Sequence, residues 1–174
     1  MVGNDVVDLR DEDATPERAH RFDARVFCDA ELRELDVAPD RARRRWQLWA
    51  AKEAVYKLRV KRDRSVVFLP SHFQARLDEA GAPGASVLEG DVRVAGAVSR
   101  VVVEERDGAV HAVASDDAAC VISGAERLGP DRLDPADPDA PGREARRFAT
   151  ERMARELGVS PGAVEVRKRG RMVT

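Results

Sequence analysis

The chain predicts an α+β fold: an antiparallel sheet packed against a long helix, organised as two related lobes of which the second is degenerate or incomplete. Three observations carry that expectation. An apolar, strand-like opening, MVGNDVVDL, is followed by helical stretches. Residues 65–123 then turn valine-rich, with partial alternation and turn signals. A proline-rich stretch and a second amphipathic segment close the chain.

In the first stretch, alternation sets Asn4, Val6 and Asp8 on one strand face and Gly3, Asp5 and Val7 on the other. An acidic Asp5 beside Val7 is unusual for a plain core strand. TPERAHRF offers Thr15 as an N-cap, Pro16 at the first helical position and Glu17 in the first turn. CDAELREL repeats the pattern, with Asp29 as the expected cap. A long helix over about 42–58 directs Trp46, Trp49, Ala50, Ala54 and Leu58 inward. VVFLP and HFQARL read as short strands, as do segments of VLEGDVRVAGAVSRVVVEE. Arg106-Asp107-Gly108 is the turn before AVHAVAS and ACVIS. The domain plan is a lobe over 1–125, a linker or ordered surface loop over 126–142, and a partial second lobe over 143–174. In that lobe a helix over about 143–157 ends at Gly158.

With 174 residues, 43% of them apolar, burial can offset chain entropy. No apolar run reaches the roughly 20 residues of a membrane helix. The opening is unlike a signal peptide, and Cys28 and Cys120 lie outside any CxxC spacing, so they read as reduced thiols of a cytoplasmic protein, with a lone disulfide as the alternative. The net charge of -2 hides a segregation: residues 1–40 are strongly acidic and residues 41–64 strongly basic. The basic run is either a solvated helix face or a surface for a polyanion such as phosphate, an acidic protein or nucleic acid.

Glu53 and Lys57 stand one turn apart in WAAKEAVYKLRVKR. Such a pair is commonly a surface ion pair contributing a few tenths of a kcal/mol. Joined by Asp5 from a strand, it has a second reading. Two carboxylates from different elements can hold Mg²⁺, and a lysine on the same face can meet a phosphate. His111 reads as a hydrogen-bonded core histidine, and Trp46 and Trp49 as core anchors.

GNDVVDL at 3–9, RFDARVFCDAEL at 21–32 and WAAKEAVYKL at 49–58 together resemble the 4′-phosphopantetheinyl transferase superfamily, in its holo-acyl-carrier-protein synthase-like form. The resemblance covers about the first 60 residues and implies the fold of that family. It implies an Mg²⁺-dependent holo-[acyl-carrier-protein] synthase that moves the phosphopantetheine arm of coenzyme A onto a serine of an acyl or peptidyl carrier protein, releasing 3′,5′-ADP. Fatty acid or polyketide biosynthesis is the corresponding setting. By position, Asp5 and Glu53 become the metal ligands, and Glu53 and Lys57 the catalytic pair. Lys52, Lys57 and Arg45 become candidates for binding the coenzyme. An acidic carrier would dock on the basic run 41–64, with no nucleic acid or membrane as partner. The family's S-x-S-H segment is not found, since His20, His72 and His111 all lie in other contexts. Either further strands or another subunit supplies it, or the chain is a non-catalytic relative that binds coenzyme A or a carrier. A two-lobed monomer and a small homo-oligomer both fit.

Aligning WAAKEAVYKL with FATERMARELG superposes Trp49 on Phe148 and Leu58 on Leu157, while Glu53 falls opposite Arg152 and Lys57 opposite Glu156. Related lobes that differ in chemistry would give this pattern, and so would two unrelated amphipathic helices.

Overall fold

Gly3 brings the first strand onto the long helix. In a computed structural model, residues 1–10, 19–80, 87–116 and 136–165 are described. Strand β1 (Val2–Asp8) is followed by helices α1 (Ala19–Val26), α2 (Asp29–Val37) and α3 (Arg41–Arg62). A 3₁₀ turn (Pro70–His72) leads into β2 (Gln74–Glu79), β3 (Val87–Val94), β4 (Ala97–Arg106) and β5 (Ala109–Ser115). The strands form one antiparallel sheet in the order β1-β5-β4-β3-β2. The chain divides into two units, Met1–Val121 and Ile122–Thr174.

The sheet alternates as its sequence requires. In β4, Ser99, Val101 and Val103 are buried, whereas Val98, Arg100 and Val102 point outward. Register carries the inner row across the sheet: Asp5 faces Ala112, which faces Val103, which faces Leu88. Helix α3 lies across this inner face, with Leu48, Ala51, Ala54, Val55 and Leu58 wholly buried. Its alanines keep the helix close to the strands. At Gly3 the approach leaves no room for a side chain, because a Cβ there would sit 2.0 Å from the Ala54 carbonyl oxygen. Ala95–Gly96 and Asp107–Gly108 close the β3–β4 and β4–β5 hairpins with both residues at positive φ, as two-residue hairpin turns of this kind demand.

Helix α3 is longer than its apolar pattern predicts. It starts behind Asp40, whose Oδ1 accepts from the Arg43 N–H at 2.9 Å, and it runs to Arg62. Its last turn carries Arg59, Lys61 and Arg62, which suit the negative end of the helix dipole. Cys28, and not Asp29, occupies the cap position of α2, and the Glu31 carboxylate accepts the Cys28 N–H at 2.8 Å. VVFLP forms no strand. Phe68 turns inward against Tyr56 and Phe73, leaving Val67 and Leu69 exposed. Phe22, Trp46, Trp49 and Phe68 make a half-buried aromatic cluster between α1 and α3.

In the second unit, α4 (Ala140–Leu157) begins three residues before the predicted start, with Pro141 in its first turn, and it ends at the left-handed Gly158 as predicted. A 3₁₀ turn, Pro161–Ala163, follows it. The expected features at Thr15 and Pro16, most of the linker, Cys120, ACVIS and most of AVEVRKRGRMV, which reads as a strand, a turn and the start of another strand, fall outside the described residues. Among the described residues, no helix is long and apolar enough to cross a membrane.

Candidate active site

Two carboxylates from separate elements converge on one ammonium. Asp5, in the middle of β1, faces α3 because it shares the inner strand face with Gly3 and Val7. Glu53 and Lys57 lie one turn apart on α3, on the helix flank that β1 approaches. Lys57 Nζ donates to Asp5 Oδ1 at 2.6 Å and contacts Glu53 Oε2 at 3.1 Å. All three side chains are half-buried, so the cluster is screened by protein yet open to solvent. Partial burial lowers the pKa of Lys57, but hydrogen bonding and charge from Asp5 and then Glu53 outweigh it, and the net shift is upward. The ammonium therefore stays protonated at neutral pH.

The Gly3 contact fixes where Asp5 lands, two residues along the strand. One turn of α3 sits directly under Gly3, through Ala54 and Leu58, and places Glu53 and Lys57 beside that point. The glycine and the aspartate of GNDVVDL are thus one device: close approach, then charge.

A divalent cation is what this donor set suits. Two carboxylate oxygens already surround a single cationic centre, the Lys57 ammonium, within 3.1 Å. Mg²⁺ commonly takes one or two carboxylates and completes its shell with water and phosphate oxygens. Among the described residues no group of three or more His, Cys, Asp or Glu side chains could hold a metal ion. The fit is therefore to an ion that leaves most of its coordination to substrate and water.

Lys52 and Arg45 do not reach this cluster. Lys52 is fully buried and donates to the Val26 carbonyl, Glu31 and the Pro70 carbonyl at 2.8, 2.7 and 3.1 Å. Desolvation pulls its pKa down, against the opposing charge of Glu31. Arg45 is 4% exposed and grips Asp23 through Nε and Nη2 at 2.5 and 2.9 Å. Both cations are committed to the interior, which corrects the expectation that they face the coenzyme. The reason is helical phase: Arg45 and Lys52 are seven residues apart and share the face turned to α1 and α2.

The basic run is likewise largely spent. Arg41 pairs with Asp23 and Asp36, Arg43 with Glu105, Arg44 with Glu34 and Arg62 with Asp116. A broad docking face over 41–64 is corrected accordingly. Among the described residues, Arg64, just past α3, and Arg21 and Arg25 on α1 remain exposed and unpaired. Sequence reasoning gave Glu31 and Asp23 no role of their own, although both lie in RFDARVFCDAEL and in the acidic block that precedes the basic one. His111 is buried, as expected, on β5 opposite Val6 and Glu104.

A family model described as the 4′-phosphopantetheinyl transferase superfamily matches residues 1–114. No curated protein matches the chain. Among solved structures, a holo-[acyl-carrier-protein] synthase from Thermotoga maritima aligns at 19% identity with a TM-score of 0.44, covering 65% of this chain and 60% of that one. The matched residues 1–114 contain β1, α3 and the whole Asp5–Glu53–Lys57 cluster, and the chain belongs to the 4′-phosphopantetheinyl transferase superfamily.

Proposed function

We propose that the chain transfers the 4′-phosphopantetheine arm of coenzyme A to a serine hydroxyl of an acyl or peptidyl carrier protein. The observation that carries this reading is the convergence of Asp5 and Glu53 on Lys57 inside a chain of this family. Asp5 and Glu53 would hold Mg²⁺, which when bound offsets the charge of the pyrophosphate. The serine oxygen bonds to the β-phosphorus of coenzyme A as the bond to the bridging oxygen breaks, and 3′,5′-ADP leaves. Glu53 takes the proton of the serine hydroxyl, either directly or through a water. Lys57, released from its carboxylate partners when phosphate enters, donates to the transferring group. Arg64 and the exposed Arg21 and Arg25 of α1 would suit an acidic partner.

The test incubates the protein with apo carrier protein, coenzyme A and Mg²⁺, and reads the added arm by mass spectrometry while following coenzyme A binding in parallel. Wild-type protein should add one arm per carrier. Asp5→Asn and Glu53→Gln should lower turnover by about 10²-fold or more, while their circular dichroism stays native. Coenzyme A binding without transfer would assign the chain to the non-catalytic relatives. Full activity in both variants would remove the cluster from the chemistry.

A further inference from the structure

Lys52 precedes Glu53 on α3, and neighbouring helical residues point about 100° apart. Its ammonium donates to Val26 O, Glu31 Oε2 and Pro70 O, which uses all three of its N–H bonds, and it sits 4.8 Å from the centre of the Phe27 ring. Glu31 is equally committed. Its Oε2 also accepts the Cys28 N–H at 2.8 Å, and its Oε1 accepts the Ala75 N–H at 2.7 Å. One ion pair thus ties the end of α1, the start of α2, the 3₁₀ turn and the start of β2 to a single residue of α3.

Burying two charges is a poor way to gain stability, since an apolar pair of similar volume does as well or better. What the pair adds is direction. Helix α3 rests on the sheet through apolar side chains, Ala51, Ala54, Val55 and Leu58 among them, whose burial is non-directional and opposes separation without singling out one roll about the helix axis. Rotation is what would carry Glu53 away from Asp5. The hydrogen bonds of Lys52 oppose it, and Arg45, about 10 Å earlier on the same face, grips Asp23 of α1 as a second clamp.

We propose that Lys52 and Glu31 are positioning residues, which hold the roll of α3 so that Glu53 faces Asp5 in a cation-ready geometry. The proposal rests on the functional reading above. It concerns how the cluster is held and assigns Lys52 no contact with substrate.

The experiment compares wild type, Lys52→Met and the double variant Lys52→Met/Glu31→Leu. It measures the thermal midpoint, the steady-state kinetics of transfer, and Mn²⁺ binding by water-proton relaxation. Lys52→Met strands a buried carboxylate and should lower the midpoint markedly. The double variant should regain the midpoint to within a few degrees. Its kcat and its Mn²⁺ affinity should nevertheless stay lower by about tenfold or more, with the KM for coenzyme A unchanged. Recovery of kcat and Mn²⁺ affinity together with the midpoint would overturn the proposal, as would a rise in KM alone. Should the double variant fail to fold, Glu31→Gln, which keeps the shape and an acceptor, faces the same criteria. Failure of the functional reading looks different: the wild type would neither transfer nor bind Mn²⁺ in a way that Glu53→Gln abolishes.

Discussion

Gly3 and Asp5 show how two residues of one strand can carry unequal but linked duties. A Cβ on Gly3 would lie 2.4 Å from the Leu58 backbone nitrogen as well as against the Ala54 carbonyl, and neither is the end of a flexible side chain. Gly3→Ala must therefore push β1 off α3. The expected cost is at least about 1–3 kcal/mol of stability, the range for overpacking a tight core. Since Asp5 moves with the strand, transfer activity should fall further than that of an equally destabilised core variant distant from β1. Urea denaturation beside turnover measurements checks both. A variant with native stability would show that the strand has room to shift. Strand alternation and helical spacing show only which faces Asp5, Glu53 and Lys57 occupy, and the three were legible as a group through the resemblance of GNDVVDL and WAAKEAVYKL to one family. Lys52 was not. Motif adjacency groups it with Glu53, whereas the turn of the helix separates them, and its partner Glu31 lies 21 residues away.

At the scale of elements, α1 and α2 meet α3 through charge as well as through the apolar contacts of Phe22, Phe27 and Leu35. The acidic block of residues 1–40 and the basic block of residues 41–64 are two sides of that contact. Asp23, Glu31, Glu34 and Asp36 receive Arg45, Lys52, Arg44 and Arg41 respectively. A segregation that reads in one dimension as a surface for a polyanion is internal pairing once the chain turns back after α2. Asp23→Ala tests the strength of this hinge. It leaves the Arg45 guanidinium buried with its carboxylate removed, and breaking a buried pair in this way costs about 3–5 kcal/mol. The expected sign is a large fall in the urea midpoint, while the helix content at low urea stays close to native. A loss well under 1 kcal/mol would mean that water reaches Arg45 readily. The same lesson explains the segment 66–70. Its β-branched residues suggest a strand, but Phe68 is taken up by Tyr56 and Phe73, and the Pro70 carbonyl by Lys52. Tertiary partners decide its conformation, and those partners are distant in sequence.

For the whole molecule, the antiparallel sheet with its crossing helix was readable because valine alternation and turn residues encode it locally. The charge network that sets the helices on each other was not, because its partners are non-local. Both meet in the dependence of stability on pH. His111 is buried on β5, and desolvation lowers its pKa below 6.5 against the opposing charges of Glu104 and Asp5. As pH falls below 6.5, the unfolded chain takes up a proton that the folded chain resists. Stability therefore declines until the folded pKa is passed. Asp23 acts lower. Burial raises its pKa, Arg45 and Arg41 lower it by more, and its contribution is intact above 3.8 and lost as pH falls through its folded value. The acid limb should thus come in two steps. His111→Gln, which cannot take up a proton, should flatten the first step and leave the second in place. Urea midpoints measured from about pH 7 down to about pH 3 would resolve them. A first step of the same slope in the variant would mean that the imidazole titrates alike in the folded and the unfolded chain.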